Sequence, residues 1–152
     1  MIRNAQHPVW LYEFVFDTTR AVVNLIYSGT LERCPQVRLQ VAHVGGTAPF
    51  LAHRIASLAD REPEKAAAAP SGALATLSRL WCDTGLSNHR TAVEAAANIV
   101  PLSQIVFGTD WPYAALPASG DPAPELSYLG TERPRLDAEN MRALVPRLLT
   151  RP

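Results

Sequence analysis

Gln104-Ile105-Val106-Phe107-Gly108-Thr109-Asp110-Trp111-Pro112 is the most strand-like run in this chain: apolar, β-branched, and ending in an acid ahead of a Trp-Pro break. Working outward, the same pattern recurs twice upstream. Val37-Arg38-Leu39-Gln40-Val41-Ala42-His43 alternates as a strand does and stops at a histidine before the turn Val44-Gly45-Gly46-Thr47. Trp81-Cys82-Asp83-Thr84 is a shorter strand candidate ending at Gly85.

Helical periodicity fills the intervals. In residues 17–34, Val22, Leu25, Ile26 and Gly29 fall at i, i+3, i+4, i+7, with Asp17 or Thr18 able to cap the start and Pro35 marking the end. Thr47 is a plausible N-cap for the next helix, with Pro49 in its first turn and Leu51, Ile55, Leu58 and Ala59 on one face. Residues 61–70 are low in complexity and predict a linker or a marginal helix. Residues 73–80 predict a short helix with Leu74 and Leu77 on one side. Residues 88–100 set Val93, Ala96, Ala97 and Val100 in register, and Pro101 closes that helix. A proline-rich loop runs to about Pro124. A last helix over 137–149 buries Met141, Leu144, Val145 and Leu148, bent or shortened by Pro146.

Strands alternating with helices predict an α/β fold with a parallel sheet. Three strands are too few to close an eight-stranded barrel, which takes about 250 residues. The chain is therefore a small open sheet or part of something larger. Its 152 residues are one domain's worth of sequence, able to bury a real core.

Net charge is zero and the basic residues are scattered, almost all arginine with Lys65 the single lysine. No electrostatic footprint points to nucleic acid or an anionic membrane. Cys34 and Cys82 are isolated, which suits a reducing cytoplasm better than a disulfide framework. No apolar run approaches the roughly 18 residues of a membrane span, and the first six residues lack the apolar core of a signal peptide.

The informative feature is positional. His43, Asp83 and Asp110 each stand at the C-terminal end of a predicted strand, the side on which parallel α/β folds open their ligand crevice. Each also has a plainer reading: His43 as a hydrogen-bonded structural histidine, Asp83 as the cap of its own turn, Asp110 as an Asx turn. The Gly45-Gly46-Thr47 loop could hold an anion on its N–H groups or be a plain tight turn. No His-x-His, His-Glu-x-x-His, P-loop or Gly-x-Ser-x-Gly motif occurs.

Four ordered segments carry a resemblance. Residues 13–21 with Ser28-Gly29-Thr30-Leu31-Glu32-Arg33, then Val41-Ala42-His43-Val44-Gly45-Gly46-Thr47-Ala48-Pro49-Phe50, Asp83-Thr84-Gly85-Leu86-Ser87 and Phe107-Gly108-Thr109-Asp110-Trp111-Pro112-Tyr113 occur in that order. Together they resemble the amidohydrolase-related superfamily, in the branch of 6-methylsalicylate, γ-resorcylate and aminocarboxymuconate-semialdehyde decarboxylases. The resemblance runs from about Tyr12 to the C-terminus and implies about strands six to eight, with their helices, of a TIM barrel. It implies that Asp110 ligates a divalent metal, usually zinc and in some members manganese, and that His43 is the acid–base group beside it. Both residue types suit those roles, a hard oxygen donor and an imidazole. Asp83 and Trp111 match pocket-lining positions.

The departures bear on activity. The family's other ligands lie upstream, in a His-x-His or Glu-x-His pair on strand one and a histidine ending strand five. Nothing before His43 supplies the pair, and His7-Pro8 sits much closer to His43 than the family spacing requires. Glu139-Asn140-Met141 departs from the family's Gly-Asn-Ala. The expectation is a truncated metal-dependent carboxy-lyase of small carboxylic acids, inactive and weakly metal-binding alone. One alternative is a hydrolase of lactones or amides on the same fold, using metal-bound water. Another is a non-catalytic module whose two open sheet edges invite a complementary half or a homo-oligomer.

Overall fold

Three short parallel strands lie side by side in chain order in the computed structural model, which describes residues 7–149. They are β1 (Gln40–Val41), β2 (Trp81–Asp83) and β3 (Ile105–Val106), with Val41 opposite Cys82 and Cys82 opposite Ile105. The ladders are shorter than the sequence pattern predicts. Val37 is exposed, and His43 already belongs to a 3-10 turn, His43–Gly45, so pairing ends at Val41. Past the β2–β3 ladder, Thr84 extends the join with its side chain: its hydroxyl donates to the Gly108 carbonyl and accepts the Gly108 N–H, both at 3.1 Å.

The first helix, α1 (Glu13–Tyr27), starts at Tyr12 rather than at Asp17 or Thr18, neither of which caps it. It also ends before Cys34. Gly29 adopts φ 70° and separates α1 from the single turn α2 (Thr30–Arg33). A Cβ at Gly29 would stand 2.9 Å from the Ala68 carbonyl oxygen, so helix cannot continue through this point with a larger residue. Thr47 does not cap α3 (Ala52–Ala56), which begins five residues later. Its hydroxyl instead meets that of Thr19 on α1, 2.8 Å away. The alanine-rich stretch forms α4 (Pro63–Ala68), opened by a proline where no N–H partner is needed. The remaining helices are α5 (Ala73–Leu77), α6 (Arg90–Ala97) and α7 (Asn140–Leu144).

Two apolar clusters flank the sheet. Val22 and Ile26 of α1, Ile55 of α3 and Leu77 of α5 centre one; Val93 and Ala96 of α6, Ile105, Leu126 and Leu136 centre the other. Ala97, expected on the buried face of α6, is exposed. The C-terminal helix departs most from the periodicity. Arg135–Glu139 is a π-helical turn, α7 follows, and Pro146–Leu149 tightens to 3-10 geometry after the proline. Leu136 is its fully buried anchor, while Met141, Leu144 and Val145 are half-buried, and the side chain of Leu148 lies outside the described residues.

That segment also covers one sheet edge. The Phe107 N–H donates to Leu136 O at 3.0 Å, and the buried Asn140 amide donates to Leu102 O and Ile105 O at 2.9 and 2.7 Å. The outward polar groups of β3 are thus satisfied, which corrects the expectation of two open edges. Among the described residues β1 has no second strand neighbour. Among them, too, no helix is long and apolar enough to cross a membrane.

Candidate active site

All three sequence-picked acid–base residues emerge on the same side of the sheet, but their side chains do different things. His43 leaves β1 at φ 55°, left-handed for a non-glycine residue. Its ring Nδ1 lies 2.7 Å from the Gly85 carbonyl oxygen. A carbonyl has no proton to give, so Nδ1 carries the hydrogen, and in the neutral ring the lone pair is left on Nε2, which has no partner among the described residues.

Asp83 turns inward to backbone. Its Oδ1 accepts the N–H groups of His43 and Gly85 at 3.1 and 3.0 Å, and its Oδ2 accepts the Gln40 side-chain amide at 3.0 Å. The cap reading of Asp83 therefore holds, in a wider form than a single turn.

Asp110, at φ 65°, is the opposite case. No hydrogen bond or ion pair from the described residues reaches its carboxylate. The Asx-turn reading fails here, because the residue two positions on is Pro112, which has no N–H to give, and the Trp111 N–H goes to the Thr109 hydroxyl at 3.1 Å.

Gly85 and Gly108 are the hinge pieces that let these ends meet. A Cβ on Gly85 would stand 3.2 Å from Asp83 Oδ1 and 3.5 Å from Asp110 Cβ; one on Gly108 would stand 3.3 Å from both Asp83 Cβ and the Gly85 nitrogen. The ends of all three strands are therefore in near-contact. His43 and Asp110 line one cavity of about 770 Å³, together with Val9, Trp10, Phe14, Leu86, Tyr113 and Ala114. Asp83 is not among its walls. Neither is Trp111, which is 67% exposed.

The Gly45-Gly46-Thr47 loop is a plain turn. Its N–H groups are spent on Ala42 O, His43 O and Thr19 Oγ1, leaving none for an anion. His7 is exposed and not part of the cavity wall. Among the described residues no group of three or more His, Cys, Asp or Glu could hold a metal ion. The cavity offers a divalent ion one anionic oxygen donor and one imidazole, suitable in kind and short in number.

Sequence reading missed the apolar walls. Val9 and Trp10 fall in an opening stretch, to about Leu11, whose residues carry no clear period; Phe14 lies in the first turn of α1, and Leu86 and Tyr113 sit in turns. The available signal was aromatic content off the buried face of α1, where Phe14 and Phe16 stay exposed while Val22 and Ile26 are covered.

The profile of the amidohydrolase family matches residues 14–145. Among curated proteins, the chain is 26% identical over 111 residues to 6-methylsalicylic acid decarboxylase of Penicillium expansum, covering 73% of this chain and 34% of that one. It is 27% identical over 105 residues to 2-amino-3-carboxymuconate-6-semialdehyde decarboxylase of Dictyostelium discoideum, covering 68% and 29%. Among solved structures, a dihydroxybenzoic acid decarboxylase from Polaromonas, with bound manganese and the inhibitor 2-nitroresorcinol, superposes with a TM-score of 0.74 at 19% identity, covering 95% of this chain and 45% of that one. The chain thus spans only about a third of the length of these curated relatives. With most of its residues under the family profile, it belongs to the amidohydrolase family.

Proposed function

We propose that this chain is one part of a metal-dependent, non-oxidative carboxy-lyase acting on small aromatic or related carboxylic acids. One observation carries the reading: the partnerless Asp110 carboxylate and the His43 ring share a cavity walled by Trp10, Phe14 and Tyr113. In this reading β1, β2 and β3 are strands six, seven and eight of a TIM barrel, and residues 1–152 are a partial barrel domain. Asp110 would be one metal ligand, and the others come from barrel strands this chain does not supply. The chain alone then binds metal weakly and does not turn over. When bound, a divalent ion, zinc or manganese, supplies Lewis-acid polarisation and a docking point for substrate oxygen.

The chain's own residues do the rest. The aromatic walls take a flat ring and keep water from it. Before substrate fills the cavity, the bare Nε2 of His43 takes up a proton from solvent, and with substrate bound it passes that proton to the ring carbon bearing the carboxyl group. The bond from that carbon to the carboxyl then breaks, its electron pair restores the ring, and CO2 leaves. The reading names a small carboxylic acid, not nucleic acid or a membrane, as binding partner. The cytoplasm is its place, in keeping with two free cysteines. The exposed edge of β1 leaves room for a homo-oligomer or for the remainder of the barrel.

The test is a chimera in which this chain replaces the matching segment of 6-methylsalicylic acid decarboxylase, assayed for CO2 release from hydroxybenzoates with zinc or manganese. The expected result is metal-dependent release by the chimera and none by the isolated chain. Asp110→Asn should abolish it, and His43→Gln should lower it by about 10²–10⁴-fold. Turnover by the isolated chain, or a chimera indifferent to both substitutions, would sink the reading.

A further inference from the structure

We propose that Asp83 is a positioning residue that holds His43 in a single tautomer and a single place. It does so by bracing the Gly85 carbonyl against the ring; its catalytic meaning rests on the reading of His43 as the acid–base group. Asp83 does not line the cavity, so any effect on the chemistry passes through its neighbours.

One carboxylate oxygen grips both ends of a bridge. Asp83 Oδ1 accepts the backbone N–H of His43 at 3.1 Å and that of Gly85 at 3.0 Å. Gly85 in turn offers its carbonyl to His43 Nδ1 at 2.7 Å. The other oxygen is steadied by Gln40 Nε2 at 3.0 Å, one residue before the end of β1. Three N–H donors on one carboxylate make a charge-assisted cluster, stronger than neutral hydrogen bonds would be. This hold also steadies the backbone of His43, whose φ of 55° lies in the left-handed region that most residues with a Cβ avoid.

Remove the carboxylate and two partly buried N–H groups lose their acceptor. The Gly85 loop is then free to turn its carbonyl away from Nδ1. The imidazole can place its proton on either nitrogen, and the Nε2 lone pair is no longer guaranteed.

Nitrogen-15 NMR of the imidazoles reads this directly in the full chain, without metal, at a pH where the histidines are neutral. The His43 signal is assigned by its loss in His43→Gln. In the wild type His43 should show a protonated Nδ1 and a bare Nε2. Asp83→Ala should give mixed tautomers at His43 while the circular dichroism of the fold persists. Asp83→Asn should restore the single tautomer, since the amide oxygen can accept the same two N–H groups while Gln40 turns its own amide to match. Should Asp83→Ala not fold, Asp83→Ser takes its place, because one short hydroxyl cannot reach both donors. A wild-type Nε2–H tautomer, or an alanine variant with the wild-type signal, overturns the proposal. In the chimera, Asp83→Ala should lower kcat by about 10–100-fold with KM little changed, the scale at which partners of a site histidine act. A locked tautomer in a chimera indifferent to His43 would leave Asp83's role standing and remove the acid–base reading instead.

Discussion

The cavity rim and the helix-side core obey different rules. Three of the rim's lining residues, His43, Leu86 and Asp110, hold φ of 55°, 47° and 65°, values that cost an ordinary side chain free energy. In the core, Val22, Ile26 and Leu77 are fully buried inside the regular helices α1 and α5. The rim spends conformational energy to put side chains where loops alone would not hold them. The core supplies stability through burial, at about 25 cal/mol per Å² of apolar surface. Substitutions in the two regions should therefore fail in different ways.

Cys82 lies where the regions meet, on β2 beneath the rim. Burial, with the neighbouring Asp83 charge adding to it, pushes its thiol up to about 12 from the ordinary 9.0. At a given mildly alkaline pH that gap leaves roughly a thousandfold less thiolate than in the unfolded chain. A thiol reagent should therefore modify exposed Cys34 rapidly in the native protein and reach Cys82 only after denaturation. Rapid labelling of both would mean that the rim and core are not sealed from each other. The sign of the pH dependence follows. The unfolded chain gives up this proton near 9 and the folded chain keeps it until about 12. The stability tied to the neutral thiol is thus intact below pH 9 and is lost as pH rises through 12. A urea series from pH 8 to 11 should show that decline.

Leu77→Ala attacks the core alone. Deleting a fully buried leucine should cost about 2–5 kcal/mol in urea unfolding, while His43 keeps its Nδ1–H signal under native conditions. A changed tautomer there would show that the core helps set the rim.

Core and rim also differed in how well the sequence disclosed them. The apolar periods of α1, α3 and α5 picked out Val22, Ile26, Ile55 and Leu77 because burial imposes a repeat that a sequence displays directly. The parallel sheet and the placing of His43, Asp83 and Asp110 at one end followed from the alternation of strands and helices. Ladder length did not, since a β-like residue pattern at 37–43 says nothing about where a partner strand begins and ends. Nor did the division of labour among the three polar residues. Asp83 and Asp110 look alike in sequence, and only the positions of the Gly85 and His43 N–H groups and of the Gln40 amide give one carboxylate three donors and the other none. Those positions depend on glycine conformations and on left-handed residues, which leave no period to read.

Gly46 ties the two regions together, and Gly46→Ala tests that tie. Its φ is 65°, and a Cβ there would stand 2.3 Å from the Val15 carbonyl oxygen of α1. The clash is with backbone, so α1 must shift, at a cost of about 2 kcal/mol or more. The turn after His43 should be displaced with it, so this variant should disturb both the unfolding midpoint and the His43 signal, unlike Leu77→Ala.

The finest test is at Leu86, half-exposed on the cavity wall at φ 47°. Alanine and glycine both remove its apolar contacts, so the difference between Leu86→Ala and Leu86→Gly isolates the backbone. In ordinary helix or strand, glycine is the less stable of the two by about 0.5–1 kcal/mol. In the left-handed region the Cβ itself is penalised, and the order should invert, with the glycine variant more stable than alanine by about 1 kcal/mol. Paired urea titrations of the two variants resolve a difference of that size. An alanine variant at least as stable as glycine would mean that the backbone at Leu86 relaxes in solution. The rim would then not be the strained region that the comparison with the core requires.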